Sequence, residues 1–378
     1  MFDPAVWAAV PFHFWSFVLF VFGTMVGSFL NVVIHRMPRN ESIVSPPSHC
    51  PHCQYAIPWY LNLPLFTWLF LRGKCRNCQA PISIRYFLVE LLTGALFLAA
   101  WLKYGDVSAL LALCVCLFLA ILLAASFIDI EHYIIPDELT IGGIAVGLLA
   151  SLAVPRLQHV MDRSASMRTS FFGVIIGAGV IYAILRLGKR AFGRQNFEIP
   201  EGGLVHFNET SLTLPDQEIP YGDIFYRDGD VIRFHAKTLE LPEICHWNVD
   251  VAMTAKELKI GEIVLDPATV GMMVVNTDSI AIPREAMGFG DVKFMAAIGA
   301  FVGGPGSIIC LMLGSVVGAI ISVGALILKS KEVQGKVPFG PYLALGAAVW
   351  MFLPFEWQRE AAYSLYDLVH LFVPWLKW

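Results

Sequence analysis

Gly288-Phe289-Gly290-Asp291, running into Val292 and then Phe294-Met295-Ala296-Ala297-Ile298, is the stretch on which the reading of this chain turns. A long polar segment ends there and an apolar one begins. Glycine allows close backbone approach and dihedrals closed to other residues. An ionisable group at the mouth of an apolar helix is a functional candidate. Asp291 equally suits a helix N-cap, where aspartate is favoured. The rest of the chain has to decide between a cap and a reactive carboxylate.

Of the 378 residues, 57% are hydrophobic and 15% charged. Soluble domains hold about 45–50% apolar residues, so this composition excludes an ordinary soluble domain. Repeated long apolar runs make the chain a multi-spanning membrane protein. The first run has no Lys or Arg before it and basic residues after it. It reads as an uncleaved helix with its N-terminus outside. The formal charge of −4 hides an asymmetry: residues 196–287 carry sixteen Asp/Glu against six Lys/Arg. The remainder is therefore basic, as membrane-flanking loops are.

Apolar spans are expected at about Phe14–Ile34, Tyr86–Leu102, Leu110–Phe127, Leu139–Val154, Phe171–Leu187, Asp291–Val302, Ser307–Leu328 and Tyr342–Leu353. The fold class is thus an all-α polytopic membrane protein of about eight transmembrane helices. With the N-terminus outside, the basic loops after the first, fifth and seventh spans face the cytoplasm. The loop 155–169, with Arg156, Arg163 and Arg168, is the exception. The expected organisation is a first helix (1–35), a cytoplasmic zinc-binding loop (36–85), helices two to five (86–195), an insert (196–287), helices six to eight (288–360) and an amphipathic interfacial tail (361–378). Gly23 and Gly27 form a small-xxx-small face for close helix packing. Ser28 and Asn31, polar and near membrane depth, are expected to hydrogen-bond a neighbouring helix. The insert differs in kind. Asp230–His235 and Val274–Ile280 alternate or are β-branched, and turn signals such as Arg227-Asp228-Gly229-Asp230 and Pro200-Glu201-Gly202-Gly203 separate such runs. It reads as a β-rich cytoplasmic module.

Two constellations carry chemistry. Apolar Ile121–Phe127 runs into Ile128-Asp129-Ile130-Glu131-His132, which the eight-span arrangement puts on the same membrane face as Asp291. Two carboxylates at matched depth can share a proton and act as an acid–base pair. The competing readings make Asp129 a helix terminator, or a proton carrier in a transporter. Asp137 and Glu138, after Pro136, suit the first turn of the next helix. Lys293 reads as a side chain reaching to the interface beside Asp291. Glu90 is expected to pair with Arg85 or Arg36, the alternative being a contact with substrate. The second constellation is Cys50-Pro51-His52-Cys53 and Cys75-Arg76-Asn77-Cys78, with 21 residues between the pairs. Two CxxC turns aim four sulfurs at one metal, a closed structural zinc site in which His52 is not a ligand; the alternative is a redox role for the two pairs, which a cytoplasmic location disfavours. Cys114, Cys116, Cys245 and Cys310 read as small buried apolar residues.

These motifs, in this order, resemble the type IV prepilin peptidases (leader peptidase and N-methyltransferase), a family of GxGD-type membrane aspartic proteases. The resemblance is carried by Gly27–Pro38, Cys50–Cys53, Asn62–Cys78, Arg85–Glu90, Asp129–Asp137, Gly288–Lys293 and Pro338-Phe339-Gly340-Pro341. It implies cleavage of a basic leader after Gly, at the cytoplasmic face of a bacterial inner membrane, from prepilin or pseudopilin substrates. Asp129 and Asp291 match the two catalytic aspartates, with Gly288, Gly290 and Lys293 as active-site support. It also implies N-methylation of the new terminus from S-adenosylmethionine, with the zinc-bearing loop involved; no residues are assigned to that donor. Membrane lipid is an expected partner and nucleic acid is not. The chain departs from the family pattern at the acidic insert, which suits electrostatic attraction of basic leaders or a docking scaffold. The alternatives are a non-enzymatic scaffold, a proton-coupled transporter, or a presenilin-like protease, the last disfavoured by Pro338–Pro341 and the cysteines.

Overall fold

A computed structural model describes residues 11–200, 202–215, 217–225, 230–242, 244–283, 288–327 and 338–372. The turn at 227–229, the lysines 329, 331 and 336 and the tail beyond 372 lie outside them. The chain forms two compact units: Met1–Tyr182 with Phe289–Trp378, and Ala183–Gly288.

The first unit is helical. Its main helices are α1 (Phe12–Arg36), α2 (Ile84–Tyr104), α3 (Ala109–His132), α4 (Asp137–Ala153), α5 (Arg163–Phe192, which runs into the second unit), α6 (Phe289–Ile327), α7 (Gly340–Phe352) and α8 (Phe355–Phe372). Among the described residues α1, α2, α3, α5 and α6 are long and apolar enough to cross a membrane, and the protein is a multi-pass membrane protein. Helix α3 is apolar on every side, the pattern of a central helix. Of its most apolar stretch 67% is buried within the protein, against 22% for α5, so α3 is the more enclosed helix and most of α5 is left uncovered by the described residues. Helix α1 lies against α2 at Gly27, where a Cβ would stand 2.7 Å from Glu90 Cα. Only glycine permits that approach.

The two spans expected at Asp291–Val302 and Ser307–Leu328 are joined in α6, which kinks at Gly303 with φ of 73°. That dihedral is left-handed and suits glycine alone. Pro305 just beyond it cannot donate a helical hydrogen bond, which favours the break. The tail helix begins at Phe355, ahead of the expected 361, and Gln358 Nε2 donates to Trp350 O at 2.6 Å, tying it back to α7.

Between α1 and α2 the chain makes two knuckles of the same design. Cys50 N–H bonds Tyr55 O and Gln54 N–H bonds Cys50 O; Cys75 N–H bonds Ala80 O and Gln79 N–H bonds Cys75 O. Gln54 and Gln79 both take left-handed φ, 57° and 58°.

The second unit is built on an antiparallel sheet of β1 (Arg194–Glu198), β2 (Leu204–Phe207), β3 (Ser211–Leu214), β4 (Gln217–Pro220), β5 (Ile232–Glu240), β6 (Cys245–Met253), β7 (Leu258–Ile260), β8 (Ile263–Leu265), β9 (Met273–Asn276) and β10 (Ser279–Pro283). The order is β4-β3-β2-β9-β5-β6-β7-β8, with β10 pairing both β1 and β5. The alternation seen in the sequence becomes the two faces of β5. Ile232, Phe234 and Ala236 enter the core; Arg233, His235 and Lys237 face out. At the expected turn, Gly203 N–H bonds Pro200 O and Gly202 takes φ of 84°.

Candidate active site and metal centre

Asp129 sits in the last turn of α3 and is 5% exposed; Asp291 sits in the first turn of α6 and is 8% exposed. Asp291 lies inside the helix, two residues past its start, so it is not the residue that caps it. A third element closes the site. The N–H of Gly340, the first residue of α7, donates to Asp129 Oδ2 at 2.9 Å. A helix N-terminus presents unpaired N–H groups and suits a carboxylate. Ile135, in the turn after α3, packs between these parts. A Cβ at Gly340 would meet Ile135 Cδ1 at 3.1 Å and Asp129 Oδ2 at 2.7 Å, whereas one at Gly290 would meet Ile135 at an ordinary 3.5 Å. Packing therefore demands glycine at 340 and does not demand it at 290. Gly288, exposed, immediately precedes α6.

The supporting charges fall out differently from the sequence reading. Lys293 is not simply reaching to the interface. Its Nζ bonds both oxygens of Asp137, at 2.6 and 2.9 Å, linking the starts of α6 and α4. Asp137 and Glu138 occupy the first turn of α4. Glu90 pairs with neither arginine: Arg85 pairs with Glu131, and Arg36 donates to Ser42 O at 3.0 Å. Glu90 Oε2 instead accepts the Leu65 N–H at 2.7 Å, and Ser28 stands beside Glu90. Asn31 Nδ2 donates to Tyr86 O at 3.0 Å. Sequence reading missed Gly340 because its contribution is a main-chain N–H. The only signal was its place in Pro338–Pro341.

The sulfurs of Cys50, Cys53, Cys75 and Cys78 lie within 4.8 Å of one another. Cys50 and Cys78 are 3.8 Å apart, and Cys53 and Cys75 4.0 Å. A tetrahedron of sulfurs about 2.3 Å from zinc has edges of about 3.8 Å, so the donor set and spacing fit that metal. The Cys53 thiol is pulled down to about 6 by the Asn77 side chain and the Tyr55 backbone. Cys78 is pushed up to about 11, against the pull of the Ala80 backbone, by burial and the other three thiols. Thiolates crowded together repel one another, and a bound cation relieves this. His52 stands outside the four-sulfur cluster. Of the remaining cysteines, Cys116 and Cys310 are buried and Cys114 partly so, but Cys245, at the start of β6, is exposed and corrects the expectation of a buried apolar role.

Residues 21–104 match the bacterial peptidase A24 N-terminal domain, and residues 116–197 and 247–323 match the type IV leader peptidase family. The chain belongs to the type IV leader peptidase family. The prepilin leader peptidase/N-methyltransferase of Aeromonas salmonicida is 30% identical over 373 residues, covering 91% of each chain. The Myxococcus xanthus protein of the same description is 46% identical over 177 residues, 47% of this chain and 50% of that one. A type 4 prepilin-like proteins leader peptide-processing enzyme of Escherichia coli O78:H11 is 40% identical over 194 residues, 45% of this chain and 69% of that one. No solved structure matches. The family match omits residues 198–246, which hold β2 to β5, and resumes in β6.

Proposed function

We propose that this family member cleaves the leader from prepilins or pseudopilins with Asp129 and Asp291 as its two catalytic carboxylates, and then N-methylates the new terminus. The observation that carries the reading is that two buried carboxylates, at the end of α3 and the start of α6, stand on segments that both pack on Ile135, with the Gly340 N–H bonded to Asp129. Two such groups share one proton. The ionised member takes a proton from water as it attacks the scissile carbonyl, and the protonated member donates to the carbonyl oxygen. Collapse of the tetrahedral intermediate returns the proton to the departing amine. No acyl-enzyme is formed. Gly288 and Gly290 keep the backbone bare beside Asp291, where an extended substrate lies.

Eight crossings follow if α4, α7 and the two halves of α6 each span. The ends of α1, α3 and α5 and the starts of α2, α4 and α6 then share one face. The basic residues between α1 and α2 make it the cytoplasmic face of the bacterial inner membrane. The four cysteines hold a structural zinc that fastens their two knuckles together. S-adenosylmethionine supplies the methyl group. Leader cleavage and methylation are read together from the product's mass after incubating the purified protein with a prepilin and that donor in liposomes. Asp129→Asn and Asp291→Asn are each expected to lower cleavage by about 10²–10⁴-fold, the usual contribution of a positioned acid or base. A parent protein that leaves the prepilin intact supports a scaffold or transporter instead, and Asn variants that cleave at the parental rate remove these two residues from the chemistry.

A further inference from the structure

Glu90 and Asn31 are polar groups that the cleavage chemistry does not use. Both line a cavity of about 430 Å³ that also reaches Cys50 and Cys75. Small-molecule pockets run from about 300 to 1,000 Å³, so this one is large enough for a ligand. Asn31 is 2% exposed, and although its Nδ2 is bonded to Tyr86 O, its Oδ1 has no partner. An unsatisfied buried carbonyl costs about 1–3 kcal/mol, an expense that a ligand N–H would offset. Glu90 is 9% exposed and held in place by the Leu65 N–H, with Ser28 beside it. Ser28 and Asn31 are three residues apart on α1, and Tyr86 and Glu90 four apart on α2. The Asn31–Tyr86 contact therefore lies one turn from the Ser28–Glu90 contact. Glu90 stands six residues into α2, about 9 Å along the helix at 1.5 Å per residue.

Asn31 Oδ1 and an ionised Glu90 are acceptors only. Their complement is a donor with several N–H bonds. We infer that Glu90 and Asn31 form the amine-binding end of this cavity, receiving the α-amino group of the peptide to be methylated, with Glu90 removing its proton. The inference rests on the methyl-transfer reading above. An ammonium nitrogen has no lone pair, so the proton must leave first. It passes from nitrogen to the Glu90 carboxylate. The freed lone pair forms a bond to the methyl carbon of the sulfonium donor, the carbon–sulfur bond breaks, and its electrons stay on sulfur. The products are a methylated ammonium and a neutral thioether. Arg85, in the first turn of α2, pairs with Glu131, two residues past Asp129. The cavity and the aspartate site are thus tied at one end of the bundle, and a cleaved terminus need not cross the membrane to pass between them.

The other charged and titratable groups facing the cavity are His35 and Arg36 from α1 and Glu41, His49, His52 and Arg76 from the loop. The Tyr55 and Tyr86 hydroxyls and the Cys50 and Cys75 thiols line it too. Of these groups Glu90 accepts the Leu65 N–H, so the substitution chosen keeps that bond through the amide oxygen. Glu90→Gln retains shape and acceptor but not basicity. In proteoliposomes it is expected to cleave prepilin within twofold of the parent and to bind S-adenosylhomocysteine with parental affinity by calorimetry. Methylation of a pre-cleaved peptide at pH 7 is expected to fall at least 100-fold. The deficit should narrow above pH 8, where the α-amine, with an ordinary pKa of about 8, is neutral unaided. Asn31→Leu should raise the peptide KM for methylation and leave cleavage unchanged. Parental methylation by Glu90→Gln at pH 7, or a deficit that does not change with pH, overturns the inference. So does a loss of S-adenosylhomocysteine binding, which would assign the two acceptors to the donor's own amine. A parent protein that binds no S-adenosylhomocysteine and methylates nothing defeats the methyl-transfer reading itself.

Discussion

Gly340→Ala is the substitution with the most direct route from geometry to rate. The added Cβ would stand 2.7 Å from Asp129 Oδ2 and 3.1 Å from Ile135 Cδ1. The first distance is about 0.7 Å short of ordinary contact. Asp129 is buried and α7 is packed in the bundle, so the strain is relieved by turning the carboxylate away from the Gly340 N–H. A hydrogen bond to a charged group contributes about 1.5–3 kcal/mol. At about 1.4 kcal/mol per tenfold in rate, losing it and the position it fixes lowers cleavage by about 10- to 150-fold. Alanine is the better helix former by up to about 1 kcal/mol, so α7 itself is not weakened. The assay is leader cleavage in proteoliposomes beside thermal unfolding in detergent, with methylation of a pre-cleaved peptide as control. The expected pattern is a fall in kcat, a melting temperature near the parent's and unchanged methylation. Cleavage within threefold of the parent would refute the claim that the start of α7 positions Asp129.

Two further predictions concern the polar parts. Cys75→Ser removes one of four ligands; elemental analysis is expected to find zinc in the parent and to find it lost in the variant, methylation should go with it while cleavage persists, and a variant that keeps its metal would reassign the site. Replacing residues 196–284 by a short linker is sterically simple because Arg194 and Pro283 are paired across β1 and β10; if the acidic module attracts basic leaders, the variant's cleavage should be slower at low salt and less salt-dependent, and an unchanged rate and salt profile rules attraction out.

What the sequence made legible was set by local chemistry. The apolar run ending at Asp129 and the one beginning after Asp291 put both residues at helix ends, because charge is excluded from the middle of an apolar helix. The four cysteines were legible because CxxC spacing is itself the geometry of a knuckle. Less legible were contacts made by groups without side-chain identity or across long separations. The Gly340 N–H reaches back 211 residues to Asp129. The bidentate Lys293–Asp137 pair joins helices that composition alone cannot place side by side. Glu90 was assigned to an arginine because charge suggests charge, yet Gly27 brings α1 so close that Ser28 stands beside it, and a backbone N–H from the loop takes Oε2. The break at Gly303 falls between the two segments read as separate spans, 291–302 and 307–328; the left-handed φ that makes the break was not legible, because a glycine in an apolar run reads equally as packing.

The two candidate sites draw on different helices. The aspartate site is built from the end of α3 and the starts of α6 and α7; the amine end of the cavity from α1, α2 and the cysteine loop. The reacting groups of one set share no hydrogen-bond partner with those of the other, and energetic coupling fades between residues without shared partners. The two reactions should therefore be separable by single substitutions. Among the described residues, one ion pair between the two sets is Arg85 with Glu131. It connects the start of α2 to the turn that carries Asp129, so a movement at one site has a direct mechanical path to the other. Arg85→Met would break that path without touching either reacting group, leaving both reactions active when assayed alone. If the pair governs transfer of the cleaved terminus, the variant releases more cleaved, unmethylated product per turnover than the parent; an unchanged ratio would show that the peptide reaches the second site through solution.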